Sequence, residues 1–125
     1  MAILRLQTDG SASWFKPRST VAGDASWHLD TAAEAIEVRL FFYTQGKGTQ
    51  DVQIVDSLRI ERPEPSGHTR FSFALPSGPY SFSGQLITLN WALELVAVPG
   101  EDTHRIELLV GPRPVEISIR GLREY

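Results

Sequence analysis

Residues 87–98 read Ile87-Thr88-Leu89-Asn90-Trp91-Ala92-Leu93-Glu94-Leu95-Val96-Ala97-Val98. Ile87, Leu89, Trp91, Leu93, Leu95 and Ala97 fall on alternate positions. That spacing lines one face of a β-strand and does not fit a helix, whose apolar stripe returns every 3.6 residues or about that. The same period of two recurs upstream in Val21, Ala25, Trp27 and Leu29, in Ile36, Val38, Leu40 and Phe42, in Ile54, Leu58 and Ile60, and in Phe71, Phe73 and Leu75. Downstream it continues through Ile106, Leu108 and Val110, then Val115, Ile117 and Ile119. Pro17, Pro63, Pro65, Pro76, Pro79, Pro99, Pro112 and Pro114 fall between these stripes, where no ladder needs their missing N–H. The series predicts an all-β fold, a sandwich or a barrel.

The 125 residues suffice for one domain spanning 1–125, large enough to fold on a hydrophobic core without disulfides or a metal. A content of 42% hydrophobic and 10% aromatic residues speaks against disorder. With no cysteine, a disulfide scaffold, a thiolate zinc site and a cysteine nucleophile are excluded. No apolar run approaches a membrane span, and the first residues show no charged-then-apolar leader, so no membrane insertion and a cytoplasmic location are expected. The net charge is −3, and the ten arginines are scattered rather than gathered on one stripe. Nucleic acid is therefore not an expected partner.

Three local features refine the strand pattern. Gly46-Lys47-Gly48 between two stripes suits a hairpin turn or a flexible tip. Thr31–Ala35 contains helix formers but is too short for an independent helix and reads as a loop. Asp56 falls in the inward register of Val52, Ile54, Leu58 and Ile60, where a bare carboxylate is costly. A β-bulge near Val55 would turn Asp56 outward and restore the register on either side, or an edge position would expose it; a buried functional acid is the alternative.

Two blocks resemble the arrestin-like domains. Phe15-Lys16-Pro17-Arg18-Ser19-Thr20-Val21-Ala22-Gly23 is similar to the segment with which those domains open an early strand, with Arg18 where glycine is common and Ser19 where an acid is common. Phe71-Ser72-Phe73-Ala74-Leu75-Pro76, then Pro79-Tyr80-Ser81-Phe82-Ser83-Gly84, then the strand through Trp91-Ala92-Leu93-Glu94-Leu95, resembles a second and more specific run. The resemblance implies an immunoglobulin-like, arrestin-type β-sandwich of two antiparallel sheets, a single N-type lobe of prokaryotic origin. It further implies a non-catalytic protein-interaction or scaffold domain without a cofactor. The expected partners are proteins of unspecified identity, and a homo-oligomer could rebuild a two-lobed shape.

No phosphate loop, nucleophile elbow or dinucleotide fingerprint is present. His28-Leu29-Asp30 and Glu101-Asp102-Thr103-His104 are two-ligand fragments of a kind common by chance, and no metal is expected. An enzyme is not expected, although the acids Asp24, Asp51, Asp56, Glu61 and Glu64 leave a carboxylate pair formally open. The main alternative is a carbohydrate- or small-ligand-binding sandwich, which an exposed Trp14 would favour and which buried Trp27 and Trp91 would disfavour. The candidate interface comes from the Ile36–Phe42 strand. Its outward positions are Glu37, Arg39, Phe41 and Tyr43, two large aromatics where polar residues are usual, which mark either an interface or rings covered by a neighbouring loop or a second layer. Because the core requires no ligand, thermal melts with and without a chelator should coincide; a loss of many degrees on chelation would contradict this.

Overall fold

The computed structural model describes residues 2–46, 48–84, 86–99, 102–115 and 117–118. Ile119 and Glu101 lie outside them. Ten strands run through the described residues: β1 (Ile3–Thr8), β2 (Trp14–Phe15), β3 (Thr20–His28), β4 (Ala35–Gly46), β5 (Thr49–Glu61), β6 (Ser66–Ala74), β7 (Phe82–Ser83), β8 (Thr88–Val98), β9 (Asp102–Val110) and β10 (Ile117–Ser118). A smaller sheet has the order β1-β3-β6. A larger one runs β10-β7-β8-β4-β5, with β9 on β8 and β2 on β9. Pairing is antiparallel throughout except for two short parallel pairs, β2 with β9 and β7 with β10. The fold is thus all-β, as the alternation implies, and of its two forms it is the two-sheet sandwich.

The core lies between the sheets and is built from the period-two stripes. Val21, Ala25, Trp27, Phe71, Phe73 and Leu75 come from the smaller sheet. Ile36, Val38, Leu40, Leu89, Trp91, Leu93, Leu95, Leu108 and Val110 come from the larger. Trp91 is fully buried, packs its ring 5.0 Å from that of Phe42, and donates its Nε1–H to the Pro79 carbonyl at 2.9 Å. Trp27 is also buried and donates to the Glu64 carbonyl. Both indoles therefore bury a large apolar area without an orphaned N–H. Ile87 and Val115, expected on inward stripes, are instead exposed and lie just before strands β8 and β10.

Two glycines make these contacts possible. A Cβ on Gly23 would stand 2.0 Å from the Gln7 carbonyl oxygen and 2.8 Å from the Phe71 ring. One on Gly67 would stand 2.6 Å from the Trp27 ring, which lies across that glycine in the β3–β6 register. The turn into β3 is Lys16-Pro17-Arg18-Ser19, closed by the Ser19 N–H to the Lys16 carbonyl at 3.1 Å. Arg18 has φ +68°, so it occupies the left-handed conformation that glycine serves best.

The hairpin at Gly46 is also present. Gly46 pairs with Thr49, and Gly48 has φ +82°. In β5, Phe41 faces Ile54 and Leu40 faces Asp56, so Val55 is the extra residue of a bulge. The bulge sits where the misplaced Asp56 indicated, but it does not turn Asp56 outward: Asp56 stays opposite Leu40, on the side of Leu58 and Ile60, and is exposed because β5 lies at the sheet edge. Nor does it restore the stripe. An odd insertion exchanges the two faces, so Val55, Leu58 and Ile60 pack against the core while Val52 and Ile54 move to the opposite side.

Two variants test this packing. Trp91→Ala should lose about 3–5 kcal/mol in a denaturant melt, and an unchanged midpoint would place the ring in solvent. Arg18→Gly should gain about 0.5–1 kcal/mol, because a side chain in the left-handed region is strained; a loss would contradict the turn geometry.

Candidate interaction face

The four residues Glu37, Arg39, Phe41 and Tyr43 share the outer face of the larger sheet, the side away from the core. Their neighbours follow from register. On β8, Glu37 faces Val96, Arg39 faces Glu94, Phe41 faces Ala92 and Tyr43 faces Asn90. Beyond β8, Ala92 faces Glu107, Glu94 faces Arg105 and Val96 faces Thr103 on β9. On the other flank, Glu37 faces Arg59, Phe41 faces Ile54 and Tyr43 faces Val52 on β5.

The two aromatics are not an open patch. Phe41 is 3% and Tyr43 7% exposed, and with Ala92 they form a second small apolar cluster. Of the two readings of these rings, the covered one matches the burial, and part of the cover is Arg105. Its guanidinium lies 5.0 Å from the Phe41 ring centre and 5.4 Å from that of Tyr43, a cation–π lid brought in from β9. The Tyr43 hydroxyl donates to Glu107 Oε1 at 2.8 Å. Burial first, and then this carboxylate acceptor, push the Tyr43 phenol above its ordinary value. What remains exposed and apolar on this face is on β5, where Val52 is 55% and Ile54 50% accessible.

Around this strip the charges are paired. Arg39 Nε donates to Glu37 Oε1 at 2.8 Å, Arg59 donates to the other Glu37 oxygen, and Arg59 Nε donates to Glu61 at 2.6 Å. Arg105 reaches Glu94 at 3.4 Å. Burial works to raise the Glu37 carboxyl, but hydrogen bonds from Arg39 and Arg59 and their positive charges outweigh it, so it is held below its ordinary range. Asp51 and Asp56, both exposed on β5, have no ion pair among the described residues.

The other sequence candidates are dispersed. Trp14 is half-buried, donates Nε1–H to the Gly111 carbonyl and lies under Lys16. His28 Nδ1 meets Ser66 Oγ at 2.6 Å on an exposed strand end. Asp24 joins Asp9 in binding Arg70, with Asp9 held in a two-pronged contact at 2.7 and 2.9 Å. Among the described residues no three His, Asp or Glu side chains converge to hold a metal ion, and no helix is long and apolar enough to cross a membrane. Sequence reasoning missed Val52 and Ile54 as surface residues and Arg105 as their neighbour's cover.

With this geometry in place, two solved structures are informative. The sporulation control protein Spo0M from Bacillus subtilis superposes with a TM-score of 0.62 at 16% identity, over 90% of this chain and 50% of that one. The chain folds as an arrestin-like sandwich. A β-glucosidase from Listeria innocua in complex with gluconolactone matches with a TM-score of 0.50 at 15% identity, over 94% of this chain and 16% of that one. At such identities the likeness is one of fold, and this arrestin-like sandwich spans half the length of the Spo0M chain. No family model matches the chain, and no curated protein matches it by sequence.

The Glu37 cluster gives a pH test. A carboxyl held below its ordinary value of 4.5 contributes stability that is complete above that pH and is lost as pH falls through the lower folded-state value. Glu37→Gln should thus be less stable than the parent at neutral pH, by about 1 kcal/mol on the scale of partly exposed ion pairs, and the difference should shrink in acid. Denaturant melts across the acid range read this, and a difference that grows in acid would contradict it.

Proposed function

We propose that this domain is a non-catalytic protein-interaction or scaffold module. It meets its partner on the outer face of the larger sheet, at the free edge formed by β5. The observation that carries the reading is the half-exposed pair Val52 and Ile54 on a strand that, among the described residues, pairs only with β4. Exposed aliphatic residues beside unpaired backbone are a surface that water serves poorly and a partner serves well. Glu37, Arg39, Phe41 and Tyr43 form the adjoining support for that edge rather than its outermost contact. A cytoplasmic setting and protein partners belong to the same reading, as does action without a cofactor.

A second reading has one observation in its favour. Tyr43, Gln45, Asn90 and Glu107 line a shallow hollow on the same face, with polar groups of the kind that bind a sugar or small polar ligand. Against it, Trp27 and Trp91 are consumed in the core, and the Tyr43 ring is capped by Arg105. No aromatic platform is left there for stacking.

The test is a photo-crosslinking residue placed at Val52, with an equivalent label at exposed Arg5 on the smaller sheet as control, in cells that express the chain natively. Discrete protein adducts from position 52, absent from position 5 and lost when Ile54→Arg is added, are the expected result. No adducts, or the same adducts from both positions, would overturn the reading.

A further inference from the structure

The edge of β5 reads Asp51-Val52-Gln53-Ile54-Val55-Asp56. Val52 and Ile54 lie on the outer face, opposite Tyr43 and Phe41. Asp51, opposite Thr44, and Asp56, opposite Leu40, lie to the other side and are exposed. This stretch is therefore amphipathic, aliphatic on one face and anionic on the other, and its two carboxylates lack a cation among the described residues.

We infer that β5 accepts an extended protein segment by strand addition, and that the segment alternates aliphatic residues with lysine or arginine. This rests on the interaction reading above and names the partner's chemistry. In an added antiparallel strand, directly opposed residues share a face. Aliphatic side chains would therefore cover Val52 and Ile54, extending the strip that Phe41 and Tyr43 begin, while a basic side chain opposite Asp51 pairs with it and one at the other end of the segment reaches past the bulge to Asp56. The bulge at Val55 ends the regular edge and confines the added strand to the half from Gln50 to Ile54.

Charge decides between this occupant and a second copy of the chain. Two β5 edges paired about Gln53 would match Val52 with Ile54 well. They would also gather Asp51 and Asp56 from both copies with no cation to offset them. Like charges across a strand pair disfavour it, so the same acids that select a basic segment discourage self-association.

The probes are two labelled peptides, Lys-Val-Thr-Val-Lys and Glu-Val-Thr-Val-Glu within otherwise identical neutral flanks, titrated into the whole chain by fluorescence anisotropy and amide NMR. The basic peptide should bind about tenfold more tightly, reflecting opposite-charge against like-charge cross-strand pairs. Its shifts should fall on residues 50–54 and on Tyr43, and Asp51→Lys with Asp56→Lys, both at exposed positions, should reverse the preference. Equal affinity for the two peptides, shifts elsewhere, no binding of either, or a dimer built on β5 in sedimentation would overturn the inference. Adducts from Val52 alongside any of these would leave the interaction reading standing and remove only the basic-strand partner; their absence removes the interaction reading itself.

Discussion

A strand repeats its side-chain directions every two residues, so one inserted residue exchanges the faces of everything beyond it. In β5 that residue is Val55. On one side of it, Leu58 and Ile60 close the core against Val38 and Ile36. On the other, Val52 and Ile54 stand on the outer face against Tyr43 and Phe41. Without the insertion, both aliphatic residues would point to the inner side of the sheet, and the outer face would have no exposed apolar edge.

The rest of the outer face is arranged around this strip. Phe41 and Tyr43 are too large to leave uncovered in the middle of a sheet, and Arg105 covers them from β9 while keeping its charge near solvent. Glu107 and Glu94 satisfy the polar ends of Tyr43 and Arg105, and Arg39 and Arg59 do the same for Glu37. The central strands are thereby sealed by pairs that neutralise one another. At the margin, β5 keeps Val52 and Ile54 exposed, and its Asp51 and Asp56 have no ion pair among the described residues. An edge strand with charges and a bulge is protected against indiscriminate pairing, and the same devices leave it selective.

Much of the sandwich was legible because its core stripes are long and strictly alternating. The Trp91 stripe and the Val21–Leu29 stripe both land on the core, and the clash of Asp56 with its register located the bulge. The consequence of the bulge was not legible, since restoring a stripe and exchanging its faces look alike until the β4 register is known. The cover over Phe41 and Tyr43 was hidden for a similar reason. Arg105 lies far away in sequence, and only the joint register of β4, β8 and β9 brings it over the rings. Strand β1 escaped notice because its inward positions are few and end on buried Thr8, whose hydroxyl donates to the Ala12 carbonyl rather than to water. The two-residue strands β2 and β7 are too short to show any period. Ile87 and Val115 opened their stripes on paper, but each precedes its strand and is exposed.

The chain has no cysteine, so single cysteines introduced along β5 report accessibility without a background. The most direct measurement is the maleimide labelling rate of Ile54→Cys against Val55→Cys under native conditions. With the bulge, position 54 faces outward and reacts quickly, while position 55 packs toward the core and reacts slowly. A regular strand continuing from Leu58 and Ile60 would place 54 inward and 55 outward. Fast labelling at 55 with protection at 54 would therefore contradict the bulge and, with it, the exposed apolar edge.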